Sequence, residues 1–198
     1  MSSITLIGAA LVLAALLVTF YVLAVTGALT LDTGVGRRTR ALGPLTVRIA
    51  APRESVFDLL ALPYLSSNPP RALREKVTVL ERGAEMVLAS HRTRVGPLTA
   101  ITVETVVFDR PDSISFRLVR GPVPHVVERF ELTQHDGATE LLYTGELGAD
   151  FWFLGRAWAA IVARSWVQTV ARSLATVQES AERSATRAAA RSRASEDP

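Results

Sequence analysis

The chain has 198 residues, a formal net charge of +3 and no cysteine, which excludes disulfides, thiolate metal sites and a cysteine nucleophile. Lys76 is the only lysine, and the arginine excess comes without aromatic interleaving or a nucleic-acid motif, so no nucleic-acid partner is read from it. The lack of cysteine also fits a reducing compartment.

From Ser2 through Leu31 there is no charged side chain. An α-helix needs ~20 apolar residues to cross the ~30 Å hydrocarbon core of a bilayer. Residues 4–29 meet that length, so 1–31 reads as an N-terminal transmembrane segment. A cleaved signal peptide would carry Lys or Arg ahead of a shorter apolar stretch. Here only Met1, Ser2 and Ser3 precede it. Arg37, Arg38 and Arg40 follow, and basic flanks stay on the cytoplasmic side. The expectation is a single-pass protein of the cell membrane with its soluble domain in the cytoplasm, joined by a linker over 32–43.

After the linker, Leu45, Val47 and Ile49 alternate with Thr46 and Arg48, the period of a strand with one buried face. Pro52 suits a first helical turn, and Val56, Phe57, Leu59 and Leu60 give the helix an apolar face. Asn68-Pro69-Pro70 cannot continue it. Six β-rich runs follow, at 76–81, 86–95, 98–109, 113–120, 125–134 and 139–147, separated by turn signals at hairpin spacing. The spacing predicts an antiparallel meander. From 151 onward Trp158, Val162, Trp166, Val170, Leu174 and Val177 recur every three or four residues, the stripe of one long amphipathic helix. Arg156, Arg164, Arg172 and Arg183 fall off that stripe. Residues 185–198 lack large apolar side chains and read as a disordered tail, which leaves 44–184 as the folded domain.

This order of elements resembles the helix-grip fold of the START-like, or SRPBCC, superfamily, which includes polyketide cyclases and dehydrases and lipid-transport proteins. The resemblance is carried by the entry Val47-Arg48-Ile49-Ala50-Ala51-Pro52-Arg53-Glu54-Ser55-Val56-Phe57-Asp58-Leu59-Leu60, by Arg129-Phe130-Glu131-Leu132 followed by Asp136-Gly137-Ala138-Thr139-Glu140-Leu141, and by the terminal helix. It implies an α+β fold in which a curved antiparallel sheet of about seven strands grips the long C-terminal helix. It also implies a cavity between them for an apolar ligand such as a lipid, sterol or polyketide. It carries over no universal catalytic residue, so function has to come from what lines the cavity.

Alternation assigns faces. His91 shares one with Val87, Ala89, Thr93 and Val95. Glu128 shares one with Val126, Phe130 and Leu132, and Tyr143 shares one with Leu141 and Leu147. With Trp158, Val162 and Trp166 from the helix stripe, these are the cavity candidates: His91, Glu128 and Tyr143 as polar groups, Phe130, Trp158, Val162 and Trp166 as walls. Plainer readings stand beside them. A bulge would turn His91 to solvent, Glu128 could pair with Arg117, Arg120 or Arg129 at an edge, and the tryptophans could be simple core. Loops 62–65, 96–98 and 121–124 are either a cavity rim or tight turns. The histidines have no metal spacing, and no nucleophile elbow, P-loop or dinucleotide fingerprint occurs, so neither metal nor cofactor is expected and no catalytic residue is assigned.

Three functions fit. The first is a membrane-anchored module binding a hydrophobic small molecule or lipid, its tether raising its effective concentration at the bilayer while Arg37–Arg40 and the tail arginines touch acidic headgroups. The second is a cyclase- or aromatase-type enzyme acting on an apolar polyketide-like substrate, with His91, Glu128 or Tyr143 handling protons. The third is a non-catalytic interaction protein, with Gly8, Ala9, Ala10, Ala14, Ala15, Ala24 and Gly27 allowing close helix packing in the membrane. The orientation has a direct check: a Ser192→Cys variant stays unlabelled by an impermeant thiol reagent in intact cells and reacts once they are lysed.

Overall fold

The computed structural model of the chain describes residues 3–196. Its first element, α1 (Ser3–Val25), is long and apolar enough to cross a membrane: Thr5–Val25 has a mean hydropathy of 2.6 and, apart from Val25 at its end, is not buried in the fold. The helix ends earlier than its apolar run suggests. Gly27 adopts a φ of +71°, and a Cβ there would lie 2.1 Å from the Ile101 carbonyl oxygen. Only glycine accepts both the left-handed backbone and that approach. Beyond it, the Ile101 amide donates to the Thr26 carbonyl at 3.0 Å, and Thr30 exchanges hydrogen bonds with the Gly121 backbone through its hydroxyl.

The segment expected to be a linker is therefore held against the domain, and half of it is strand. β1 (Arg38–Ile49) pairs with β7 along its whole length, from Arg38↔Ala149 to Ile49↔Thr139, with a register shift between Leu42 and Leu45. The shift resets the alternation, so the first half of the strand does not show the period that Leu45–Ile49 displays. Arg37 is not a free flanking charge either. It closes a buried ion pair with Asp150, Nε to Oδ1 at 2.7 Å, and also bonds Asp32.

α2 (Arg53–Leu65) follows, with Val56 and Phe57 fully buried, each contributing roughly 1.5–3 kcal/mol by leaving water. A single turn, α3 (Arg71–Arg74), leads to β2 (Val77–Arg82), β3 (Met86–Val95), β4 (Leu98–Asp109), β5 (Ser113–Arg120), β6 (His125–His135) and β7 (Ala138–Ala149). The sheet is seven-stranded and wholly antiparallel, in the order β1-β7-β6-β5-β4-β3-β2, because every connection after β2 is a hairpin and β1 closes on β7. It curves around α4 (Trp152–Glu196), whose main packing is on β1, β7 and α2, and the core lies between them. The architecture is the helix-grip arrangement. α4 runs through residues 185–196, the stretch assigned from sequence to a tail. Ala and Arg are strong helix formers and propagate the helix there, with Ala185 still against the core and residues 187–191 exposed.

Asp150, buried at the β7–α4 corner, is the tightest polar node of the fold. Its carboxylate accepts from the Thr33 and Gly34 amides at 2.7 and 2.8 Å, from the Thr33 hydroxyl at 3.1 Å and from Arg37. The Arg37 guanidinium and these donors hold its carboxyl far below the usual carboxylate range. A lowered carboxyl stabilises the fold above its unfolded pKa and loses that effect only in strong acid. Asp150→Asn keeps the shape but leaves Arg37 with only the exposed Asp32 as counter-charge. It is expected to lower stability by roughly 1–3 kcal/mol, read as an earlier unfolding midpoint of the full chain in mild detergent at neutral pH.

Candidate functional site

The inward face of the sheet carries a line of aromatic and ionisable side chains from β3 to β7. Register places them: His91 stands opposite Thr102, Glu104 opposite Ala89 and Leu118, Phe116 opposite Glu128, and Phe130 opposite Tyr143. Alternation then points His91, Glu104, Glu128, Phe130 and Tyr143 to one side. α2 adds Tyr64 from the mouth of the sheet, and α4 adds Trp166.

Two polar groupings result. In the first, the Tyr64 hydroxyl lies 2.9 Å from His91 Nε2, and His91 Nδ1 lies 3.3 Å from Glu104 Oε2, while Glu104 Oε1 accepts from the Thr102 hydroxyl at 2.7 Å. His91 Nδ1 is buried and has no aligned hydrogen bond. Burial pushes Tyr64 well above 10 and pulls His91 down to about 4, so at neutral pH the phenol is protonated and the imidazole uncharged. The Tyr64 O–H then donates to Nε2, which assigns the ring proton to Nδ1, the nitrogen that faces Glu104. In the second grouping, Glu128 Oε1 accepts from both the Tyr143 hydroxyl at 2.6 Å and the Trp166 indole at 2.7 Å. With Oε1 doubly occupied, the proton of the acid form belongs on Oε2.

The two carboxyls feel each other. Desolvation pushes Glu104 up to about 7, and desolvation together with the charge of Glu104 pushes Glu128 up to about 7. Between them runs a chain of rings: Tyr64 meets His91 at 5.7 Å, Phe108 at 5.9 Å and Phe116 at 5.8 Å, Phe116 meets Phe130 at 5.5 Å, and Phe130 meets Tyr143 at 5.1 Å. Two acids poised near neutrality beside a neutral imidazole can hold a hydroxyl or carbonyl, or pass a proton.

The sequence candidates divide accordingly. His91, Glu128, Phe130, Tyr143 and Trp166 meet in this inward cluster. Glu128 takes none of the arginines considered for it, and Arg129 pairs instead with Glu131 at 2.8 Å. Val162 is core, 9% exposed. Trp158 stands apart, donating to the Pro122 carbonyl at 2.8 Å and meeting Tyr21 of α1 edge-on at 6.2 Å. Tyr64 and Glu104 were not singled out from sequence. Glu104 shares a period with Val106 and Phe108, but Ile101, Val103 and Val107 make the opposite face equally apolar, so alternation alone gives no inside to β4. Tyr64 falls just before a proline-rich break, where a rim or a turn was expected. Among the described residues no group of His, Cys, Asp or Glu has the geometry of a metal site.

No family model matches the sequence, and comparison with curated proteins finds no match. Solved structures do match. The Zhui aromatase/cyclase of a Streptomyces species superposes with a TM-score of 0.59 at 23% identity, covering 74% of this chain and 94% of that one. A protein of Thermus thermophilus gives 0.55 at 16% identity over 72% and 95% of the two chains. The di-domain aromatase/cyclase BexL gives 0.54 at 18% identity, over 74% of this chain and 50% of that one. At these identities the likeness is one of fold.

The carboxyls set a pH dependence with a defined sign. A carboxyl raised in the folded state binds its proton there while the unfolded chain has released it, so each acid lowers stability as pH rises from 4.5 towards 7. His91, lowered to about 4, works in the opposite direction between 4 and 6.5. Above 6.5 only the acids act. Glu104→Gln, neutral at every pH, is therefore expected to gain on the parent chain between pH 6 and 8 by on the order of 1–3 kcal/mol. Thermal melting of both proteins across that range reads it.

Proposed function

We propose that the protein is a membrane-anchored helix-grip module that takes an apolar small molecule or lipid between the sheet and α4. The observation that carries this is a contrast within one face. Phe108, Phe116 and Phe130 point inward yet remain partly exposed, beside Tyr143, Glu104 and Glu128, which are almost wholly buried. Rings that face the core and still meet solvent, with α4 packed mainly on β1, β7 and α2, support a space between sheet and helix for a ligand. Apolar walls with a few convergent polar groups of displaced pKa are the usual make-up of a small-molecule site. The ligand's polar end would meet Glu128 Oε2. The span α1, exposed and uncharged, is the anchor.

A cyclase- or aromatase-type activity on a polyketide-like substrate is the second reading. It is favoured by the Tyr64–His91–Glu104 chain and by the shared fold with an aromatase/cyclase. In that reading His91 Nε2 takes the Tyr64 hydroxyl proton as Tyr64 removes one from the substrate, while Glu104 or Glu128, both raised towards neutrality, returns one.

Native mass spectrometry of the full chain, extracted from its own membrane in mild detergent, separates these readings. The expected result is one apolar molecule bound per chain, retained about tenfold less well by Glu128→Gln, the loss of roughly one charge-assisted hydrogen bond. Conversion of that molecule by the parent chain, abolished in His91→Ala, would establish the enzyme. A domain that stays empty when challenged with apolar ligands would overturn both and leave the interaction protein.

A further inference from the structure

We propose that the first turns of α4 form a second membrane contact, lying in the same bilayer interface as the end of α1 and holding the domain at the surface in one fixed pose. The proposal rests on the anchored reading above. Its starting point is an apolar edge that the fold covers only in part, with the Trp152 ring resting on Gly36: Phe151 is 37% exposed, Trp152 55%, Phe153 71%, Leu154 63% and, further along the helix, Ile161 60%. Leu154, Trp158 and Ile161 are spaced to share one helical stripe.

What covers this edge follows from its attachment to α1. Trp158, in the middle of the stripe, meets Tyr21 edge-on at 6.2 Å. Tyr21 precedes the last residue of the span, Val25, by four positions, about 6 Å along a helix. The stripe thus stands level with the last turn of the segment that crosses the bilayer, at the depth where Trp and Tyr gather. The contact is not a loose one. The Thr26–Ile101 and Thr30–Gly121 bonds fix the end of α1 to β4 and the β5–β6 turn, and the Asp150 node fixes residues 33–37 to the start of α4.

Charge is placed to match. Arg38, Arg40 and Arg156, all exposed, line with Trp152 and Phe153 one side groove of about 740 Å³. Arginines directly behind exposed aromatics are the pattern of an interfacial segment, with rings among the upper acyl chains and guanidinium groups among acidic headgroups. The backbone bears a cost to present those rings. Phe151 and Trp152 hold φ values of 70° and 46°, a region that bulky side chains seldom occupy, and are kept there by bonds from their amides to the Val35 and Gly36 carbonyls.

The chain contains no native cysteine, so nitroxide labels can be placed singly at Phe153→Cys, Leu13→Cys and Glu179→Cys in the full-length protein, reconstituted in phosphatidylcholine vesicles with and without phosphatidylglycerol. Power saturation then compares access of oxygen, which concentrates in the bilayer, with that of a water-soluble nickel complex. The expected oxygen-to-nickel ratio is highest at 13, severalfold above that of 179 at 153, and greater at 153 when phosphatidylglycerol is present. The Arg38→Gln/Arg40→Gln/Arg156→Gln variant loses that last increment. A deep label at 13 with an aqueous one at 153 overturns the second contact and leaves the anchor intact. A label at 153 shielded from both reagents points to cover by a second copy and also overturns it. An aqueous label at 13 removes the anchored reading and this inference together. An increment that survives in the triple variant overturns the role of the arginines.

Discussion

Asp150 ties together parts of the chain that have no other reason to stay in register. A buried carboxylate is tolerated only when its lone pairs are filled and its charge is answered, and here two amides, a hydroxyl and a guanidinium converge on it from residues 33–37. Those residues follow the apolar helix after a short docked stretch, 26–32, and run straight into β1. Asp150 itself directly follows β7 and is separated from α4 by Phe151 alone. One anion therefore fixes where the sheet closes, where the gripping helix starts and how the N-terminal helix meets both. The close fit of Gly155, whose Cβ would lie 1.7 Å from the Asp150 carbonyl oxygen, belongs to the same corner.

The interior obeys the same physics with a different outcome. Glu104 and Glu128 have no cation within their shell, only hydroxyls, an indole and rings. Without a counter-charge, burial favours the protonated forms. The two acids are thus both raised from the usual carboxylate range towards neutrality in an otherwise apolar cup. A carboxylate paired with a cation builds the frame, and two without one are held towards their protonated forms.

Much of the architecture can be read from the chain alone because its signals are periodic. The hairpin spacing of the six β runs, the Trp158–Val177 stripe and the uncharged N-terminal run each repeat one physical preference many times, so single exceptions do not blur them. The parts that were missed rest on single events. The first half of β1 is hidden by one register shift at Leu42/Leu45. The docking of residues 26–37 depends on Gly27, Thr30 and Asp150 meeting partners about 74 to 117 positions away in sequence, a pairing that no local pattern encodes. Within the site, His91, Glu128 and Tyr143 stood out because each is a polar residue on a clearly apolar face. Glu104 did not, since β4 is apolar on both faces. Trp158 shares the stripe of Trp166 yet serves the junction with α1, because helical spacing gives a side but not a height along it.

The left-handed backbone at Phe151 and Trp152 has a consequence for anyone engineering the domain into a soluble reagent. Glycine or asparagine at either position would relax the main chain as it removes a ring, so the strain released offsets part of the packing lost and a screen ranked on thermal stability in detergent is a poor judge of such variants. On the bilayer contact proposed above, what they lose is an edge that only a readout taken on a bilayer registers.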